Sequence, residues 1–363
     1  MNRDLDTSRR PLVLIWEVTQ ACELACEHCR ADAQSMRHPD ELTTDEGKAL
    51  LDSAREFAEN QLVVLSGGDP CKRSDLTELV RYGSEQGLSV SLTPSGTDEL
   101  TADVLEDLSE AGLRRIALSL DGGDAESHDA FRGETGSFAA TVDAAEAARD
   151  AGLPLQINTT VCAETVEQLP TIRDRVRELG AVLWSVFFLV PVGRGQLLDS
   201  IDPERADRVM DWLAETADEE PFGIKTTEAP HYRRVKLQRR AADGDADDGS
   251  ADAGRQRRGG IVAGDGFAFV SHTGDVYPSG FLPESAGNVR EDDLVDCYRN
   301  SDLFTALRDR DRLSGKCGAC EFRHVCGGSR SRAYATTGDP LASDPLCPHV
   351  PDGYDAGEGA AGD

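Results

Sequence analysis

Lysine is scarce in this chain. Lys48, Lys72, Lys225, Lys236 and Lys316 are the only ones in 363 residues, so the 38 basic residues are mostly arginine, and 67 acidic residues outnumber them. A net charge of −29 repels phosphate, which disfavours nucleic acid and anionic membranes as partners. Long apolar runs are missing too. The longest, Ala181 to Val190, falls well short of the roughly 20 residues a membrane-spanning helix needs and reads as a buried strand. Met1 to Arg10 is polar and has no apolar core of the kind a signal peptide carries. These absences place the protein in the cytoplasm, where its ten cysteines are better metal ligands or free thiols than disulfides. Acidity on this scale raises the possibility of disorder, but 39% hydrophobic residues in regular periods indicate a folded chain. The charge is then read as adaptation to high salt, where screening removes most of the self-repulsion.

From residue 11 to 190 the sequence alternates apolar runs with amphipathic stretches. The runs are Leu12–Val18, Leu62–Ser66, Leu88–Thr93, Arg115–Leu120, Pro154–Val161 and Val182–Val190. Helical patterns fall between them at about 43–59, 74–86, 101–111, 137–151 and 167–179. Thr43-Thr-Asp-Glu46 has the form of a capping box opening the first helix. Strands alternating with helices of this length imply an α/β fold with a parallel sheet. Six such units fit either an open doubly wound sheet or a partial barrel. In both, ligands gather at the C-terminal ends of the strands. Residues 201–240 read as a connecting helical segment, with a short strand pattern before Glu228, and 241–260 as an acidic low-complexity linker. Phe267 to Tyr277 has a hairpin pattern, with Thr-Gly-Asp at its turn. A cysteine-rich α+β extension over 261–350 precedes a disordered tail at 351–363, and no internal repeat is evident.

The chemistry-bearing motifs sit at strand ends. Cys22, Cys26 and Cys29 follow the first strand with C-x3-C-x2-C spacing. Three thiolates on one tight loop can ligate three corners of a cubane iron–sulfur cluster and leave the fourth iron open. A zinc site would need a fourth ligand, and His28 is cramped between Cys26 and Cys29. Ser66-Gly-Gly-Asp-Pro70 ends the second strand, where glycine admits close backbone approach. Ser119-Leu-Asp-Gly122 ends the fourth strand and Asn158 lies in the fifth; strand-end capping would account for either equally well. Arg194, in Pro191-Val-Gly-Arg-Gly195, suits recognition of a carboxylate or pairing with a surface acid. Cys317, Cys320, Cys326 and Cys347 form C-x2-C-x5-C followed by a distant fourth thiol, which fits structural zinc or a fully ligated cluster. Cys71, Cys162 and Cys297 are read as small buried hydrophobes.

The Val18–Arg30 segment carries the signature of the radical S-adenosylmethionine (SAM) enzymes, which the chain resembles along nearly its whole length. That resemblance implies a partial (β/α)6 TIM-type barrel over 11–200 and a [4Fe–4S] cluster on Cys22, Cys26 and Cys29. It also implies SAM contacts from His28, Gly67, Gly68, Asp69, Ser119, Asp121 and Asn158. Asp69 departs from the family's usual Glu, which shortens the carboxylate's reach but keeps its charge. The tail is similar to SPASM and twitch extensions, implying a second, auxiliary [4Fe–4S] cluster on Cys317, Cys320, Cys326 and Cys347. That match is partial, since Ser279 and Arg330 stand where further cysteines are expected.

The resemblance implies reductive cleavage of SAM to a 5′-deoxyadenosyl radical that abstracts hydrogen from a substrate, with a reductant such as ferredoxin or flavodoxin. The overall look is nearest the haem b synthase-like, haem-biosynthesis branch, whose members remove or oxidise acidic side chains of iron porphyrins. Arg194, His231 and Arg233 would then contact the substrate. Modification of a ribosomally made peptide is the alternative reaction. A zinc-stabilised scaffold without catalysis is the reading from another class, and a simple electron carrier has no use for an open three-cysteine site. If the acidity is a salt adaptation, melting temperature rises between about 0.1 M and about 1 M KCl, as the screening length falls from about 10 to about 3 Å. A thermal melt that is flat or falls with KCl would exclude that reading.

Overall fold

In the computed structural model residues 6–242 and 261–354 are described. Seven strands run parallel and follow one another across a single sheet: β1 (Val13–Thr19), β2 (Leu62–Gly67), β3 (Ser89–Leu92), β4 (Arg115–Ser119), β5 (Leu155–Val161), β6 (Leu183–Phe188) and β7 (Gly223–Thr227). Each lies beside its sequence neighbours. A doubly wound sheet reverses its strand order at a switch point, so this order excludes that alternative and leaves the partial barrel.

The connecting helices are α1 (Thr44–Arg55), α2 (Leu76–Glu85), α3 (Ala102–Glu110), α4 (Ala125–Arg132), α5 (Ser137–Asp150), α6 (Leu169–Glu178) and α7 (Pro203–Glu219). They begin where the sequence offers oxygen acceptors to free amides. Thr43 and Glu46 form the full capping box at the head of α1, while Thr101, Asp124 and Asp202 cap α3, α4 and α7. Inward residues of the strands, including Leu14, Trp16, Val63, Leu65, Ile157, Trp184 and Val186, are sealed in one core with the apolar faces of these helices.

The short strand pattern before Glu228 is β7, while α4 has no counterpart among the helical patterns. β7 (Gly-Ile-Lys-Thr-Thr) has one large apolar residue and pairs only with β6, so its periodicity is faint. The eight-residue α4 sits in what reads as a loop. After β7, α8 (Tyr232–Ala242) runs past the start of the expected linker, whose remainder, 243–260, lies outside the described residues, as do 355–363 of the expected tail.

The hairpin is present as β8 (Phe267–Val270) and β9 (Val276–Tyr277). β8 pairs in parallel with β1, from Val13–Phe267 to Trp16–Val270. The sheet therefore continues into the extension, and the C-terminal ends of β1 and β8 share one rim. The extension adds α9 (Leu294–Asn300), α10 (Asp302–Arg308), α11 (Gly315–Ala319) and α12 (Arg330–Thr337). Among the described residues no helix is long and apolar enough to cross a membrane.

Candidate active site

The loop carrying Cys22, Cys26 and Cys29 leaves β1 at the rim and is held from three sides. Beneath it, Gly68 donates to the Thr19 carbonyl at 2.9 Å and Asp69 to the Ala21 carbonyl at 2.6 Å. A Cβ on Gly68 would meet the Ala21 oxygen at 2.4 Å and the Gln20 oxygen at 2.6 Å, so this approach requires glycine. On the β6 side, the Arg194 side chain donates through Nε to the Cys26 carbonyl (2.8 Å), and its amide donates to the Cys29 carbonyl (3.0 Å). On the β8 side, Arg30 pairs with buried Glu17 at 2.5 Å and reaches the Gly280 carbonyl at 3.3 Å. Glu17 also meets His272 at 2.7 Å, and Arg30 lies over the Phe269 ring.

Cys22 and Cys26 are buried and Cys29 half-buried. Their surroundings suit sulfur acting as an acceptor: the Leu24 amide lies 3.4 Å from the Cys22 sulfur and the Ala33 amide 3.5 Å from that of Cys29. Burial pushes the Cys22 and Cys26 thiols up, and coordination to a metal is what lowers such a group. Sulfurs on one zinc stand less than about 4 Å apart, given Zn–S bonds of about 2.3 Å. Among the described residues, one trio of His, Cys, Asp or Glu ligand atoms lies mutually within 4.8 Å, namely Cys320, Glu321 and His349. The three loop thiols are not all mutually within that distance.

His28 is stacked on Phe131, with ring centroids 4.8 Å apart and planes 8° from parallel. Burial lowers its pKa to about 4, so the ring is neutral near pH 7, and its buried Nδ1 has no protein partner. Gly67 ends β2 and Gly68 follows it, while Ser119 ends β4 opposite Asn158 of β5. Asn158 accepts from Gln156 at 2.7 Å. Asp69 and Asp121 are buried and already occupied. Asp69 accepts from the Thr97 hydroxyl (2.7 Å) and the Cys71 amide (3.2 Å), and Asp121 from the Thr160 amide (2.7 Å) and Arg132 (3.3 Å). The shorter side chain at 69 thus ties the β2 and β3 loops together. Ser95, after β3, bridges the Gly68 carbonyl and the Cys22 sulfur.

The three residues expected at the substrate each meet partners within the protein. Arg194 clamps the cysteine loop, as described above. Arg233 gives its guanidinium to the Val325 and Ile261 carbonyls at 3.2 and 2.9 Å. His231 is fully buried, edge-on to Phe188 and 3.9 Å from Asp344. Arg194 keeps one buried guanidinium nitrogen, and His231 both ring nitrogens, without a hydrogen-bond partner.

In the extension, Cys317, Cys320, Cys326 and Cys347 line one cavity with Arg234, Lys316, Arg323 and His349. Each of three sulfurs accepts a backbone amide at 3.4 Å: Asp344 to Cys317, Phe322 to Cys320, and Gly328 to Cys326. Gly328 has a left-handed φ of 66°, and a Cβ there would meet Arg330 at 2.6 Å. Ser279 donates to Glu228 at 3.1 Å, and Ser329 and Ser331 join it at 2.5 and 2.9 Å.

Arg332 joins barrel and extension. It donates to the Phe188, Leu189 and Glu228 carbonyls at 3.0, 3.1 and 2.9 Å and to both oxygens of Asp344 at 3.2 Å. Ser95, Arg132, Glu17, Glu228, Arg332 and Asp344 were not foreseen. Only Arg332 had a signal, in the Ser-Arg-Ser-Arg stretch at 329–332.

The sequence profile of the radical SAM superfamily matches residues 16–176. An AdoMet-dependent heme synthase of Methanosarcina barkeri is 41% identical over 341 residues, covering 94% of this chain and 97% of that protein. The chain belongs to the radical SAM superfamily. A second AdoMet-dependent heme synthase, from Nitratidesulfovibrio vulgaris, is 39% identical over 93% of this chain and 92% of its own. The radical SAM fold is matched by the crystal structure of Streptococcus suis SuiB bound to S-adenosylmethionine. Its TM-score is 0.72 at 18% identity, covering 94% of this chain and 78% of that one. Radical SAM enzymes use a [4Fe–4S] cluster and SAM, and the three free thiols and N–H···S donors of this loop fit such a cluster.

Replacing Gly68 by Ala forces the loop off the rim. The expected cost is about 1–3 kcal/mol, as for an overpacked core, together with loss of iron from the first loop. A urea midpoint and iron content equal to wild type would show that the close approach is not required.

Proposed function

We propose that this radical SAM enzyme oxidatively decarboxylates propionate side chains of an iron porphyrin in haem biosynthesis, using two [4Fe–4S] clusters. The observation that carries this reading is the near-full-length likeness to AdoMet-dependent heme synthase, which spans the barrel and the four-cysteine extension together. Cys22, Cys26 and Cys29 would hold the first cluster, and Cys317, Cys320, Cys326 and Cys347 the auxiliary one.

Bound there, the first cluster and SAM supply a 5′-deoxyadenosyl radical once an electron arrives from a donor such as ferredoxin or flavodoxin. This chain's residues orient and seal the reaction. His28, neutral and stacked on Phe131, offers a flat face to the adenine. Gly67 and Gly68 let the SAM methionine group approach the backbone, with Asp69 behind them. Ser119, Asp121 and Asn158 line the adjoining strand ends. At the substrate, a propionate loses one hydrogen atom to the deoxyadenosyl group and its carboxylate leaves as CO2, giving a vinyl group. One electron remains, and a cluster held by Cys317, Cys320, Cys326 and Cys347 would supply an acceptor for it.

The test is an anaerobic assay of reconstituted protein in high salt with SAM, a reductant and iron-coproporphyrin III. Mass spectrometry would follow 5′-deoxyadenosine and porphyrin. Loss of CO2 from the porphyrin together with deoxyadenosine is the expected outcome. Deoxyadenosine without porphyrin change overturns the substrate and turns attention to a peptide. Cys22→Ala should abolish SAM cleavage while leaving the extension's iron in place, and retained cleavage would remove the first-cluster assignment.

A further inference from the structure

Around the extension's cysteines the charge of the protein is locally reversed. The chain carries −29 overall and five lysines, yet Lys316, Arg234 and Arg323 line the cavity of the four thiols. Arg330 stands against its wall, with a terminal nitrogen 3.8 Å from the Cys317 sulfur.

These cations are not equivalent. Arg234 is paired with Asp207 at 2.5 Å and Arg323 with Asp311 at 3.2 Å. Arg330 is fully buried and gives its other donors to backbone oxygens: Ala342 at 2.7 Å, Pro340 at 2.9 Å and Gly328 at 3.3 Å. Lys316 donates to the Cys347 carbonyl. Among the described residues no carboxylate lies within ion-pair distance of Arg330 or Lys316. Asp344 is nearby, but its carboxylate is held by Arg332, and Glu321 faces His349.

A buried guanidinium without a counter-charge is strongly unfavourable, and surplus acid is available throughout this sequence. The group that Arg330 faces is the Cys317 sulfur, which would carry negative charge as a ligand of the cluster proposed above. A [4Fe–4S] cluster with four cysteines becomes more negative on reduction, and its potential is set by local charge and by hydrogen bonds to sulfur. Fixed positive charge at the Cys317 and Cys347 ends favours the reduced form.

We propose that Arg330, seconded by Lys316, is a positioning and potential-tuning residue that raises the auxiliary cluster's reduction potential and so makes it the electron acceptor of the reaction. The inference rests on the two-cluster reading above, and the experiment separates the two.

The full chain with Cys22, Cys26 and Cys29 all replaced by Ala would isolate the auxiliary cluster. Roughly four irons and four sulfides per chain are expected, as for one [4Fe–4S] unit. A colourless protein with one zinc sinks the two-cluster reading, and this inference with it. With the cluster present, EPR-monitored redox titration compares Arg330→Met and Arg330→Lys with Arg330 in the same background. Arg330→Met should lower the reduced-to-oxidised ratio at fixed potential at least tenfold, about 59 mV for one electron, and Arg330→Lys should restore most of it. An unchanged midpoint in Arg330→Met overturns the proposal. If Arg330→Met loads no iron, half-buried Lys316→Met decides: a lower midpoint upholds the proposal and an unchanged one rejects it.

Discussion

The guanidinium of Arg332 is the fastening on which the arrangement depends. Every one of its nitrogens has a partner: two carbonyls at the end of β6, one at the end of β7, and both oxygens of Asp344. Those carbonyls are the unpaired ends of strands, oxygens that need a donor once water is excluded. Asp344 in turn accepts the Ser329 amide and places its own amide on the Cys317 sulfur. One planar, permanently charged group thus fixes the barrel's rim against the extension. Lysine could not replace it, having neither the fork nor the donors.

The same device recurs at the first cysteine loop. Arg194 holds it from β6 and Arg30 from the β8 side, each through backbone carbonyls. Several arginines, among them Arg73, Arg132, Arg330 and Arg332, are buried despite the acidity of the chain as a whole. Local charge and total charge therefore say different things. The total bears on the solvent the protein tolerates, while the buried arginines shape the site.

Much of this was legible beforehand because it rests on local rules. The capping box at Thr43, the six apolar strands and the hairpin turn at Thr273-Gly-Asp275 are short-range patterns. Barrel and doubly wound sheet differ only in strand order, which no local pattern encodes. β7 was readable only as a short pattern before Glu228, because an edge strand with one large apolar residue lacks periodicity. For Arg194, Arg233 and His231 the limit is of another kind. A polar side chain near a strand end signals that a partner exists but not which one, and here the partners were carbonyls and packing from segments tens to more than a hundred residues away. The glycines of Ser66–Pro70 were readable because they answer a steric need. The inward turn of Asp69 depended on Thr97 and could not be read from its own segment.

β1 is flanked on both sides, by β2 and by β8, so the strand that launches the first cysteine loop is an interior strand. Interior strands open only with large cooperative units, whereas edges fray readily. Amide exchange along Val13–Thr19 should then be among the slowest in the molecule. The loop's anchor does not breathe independently, so oxidants and chelators reach its sulfurs through the rim and not by peeling the strand away. Sensitivity of that site to air is accordingly a matter of access, governed by whatever fills the mouth, and little affected by modest changes in global stability.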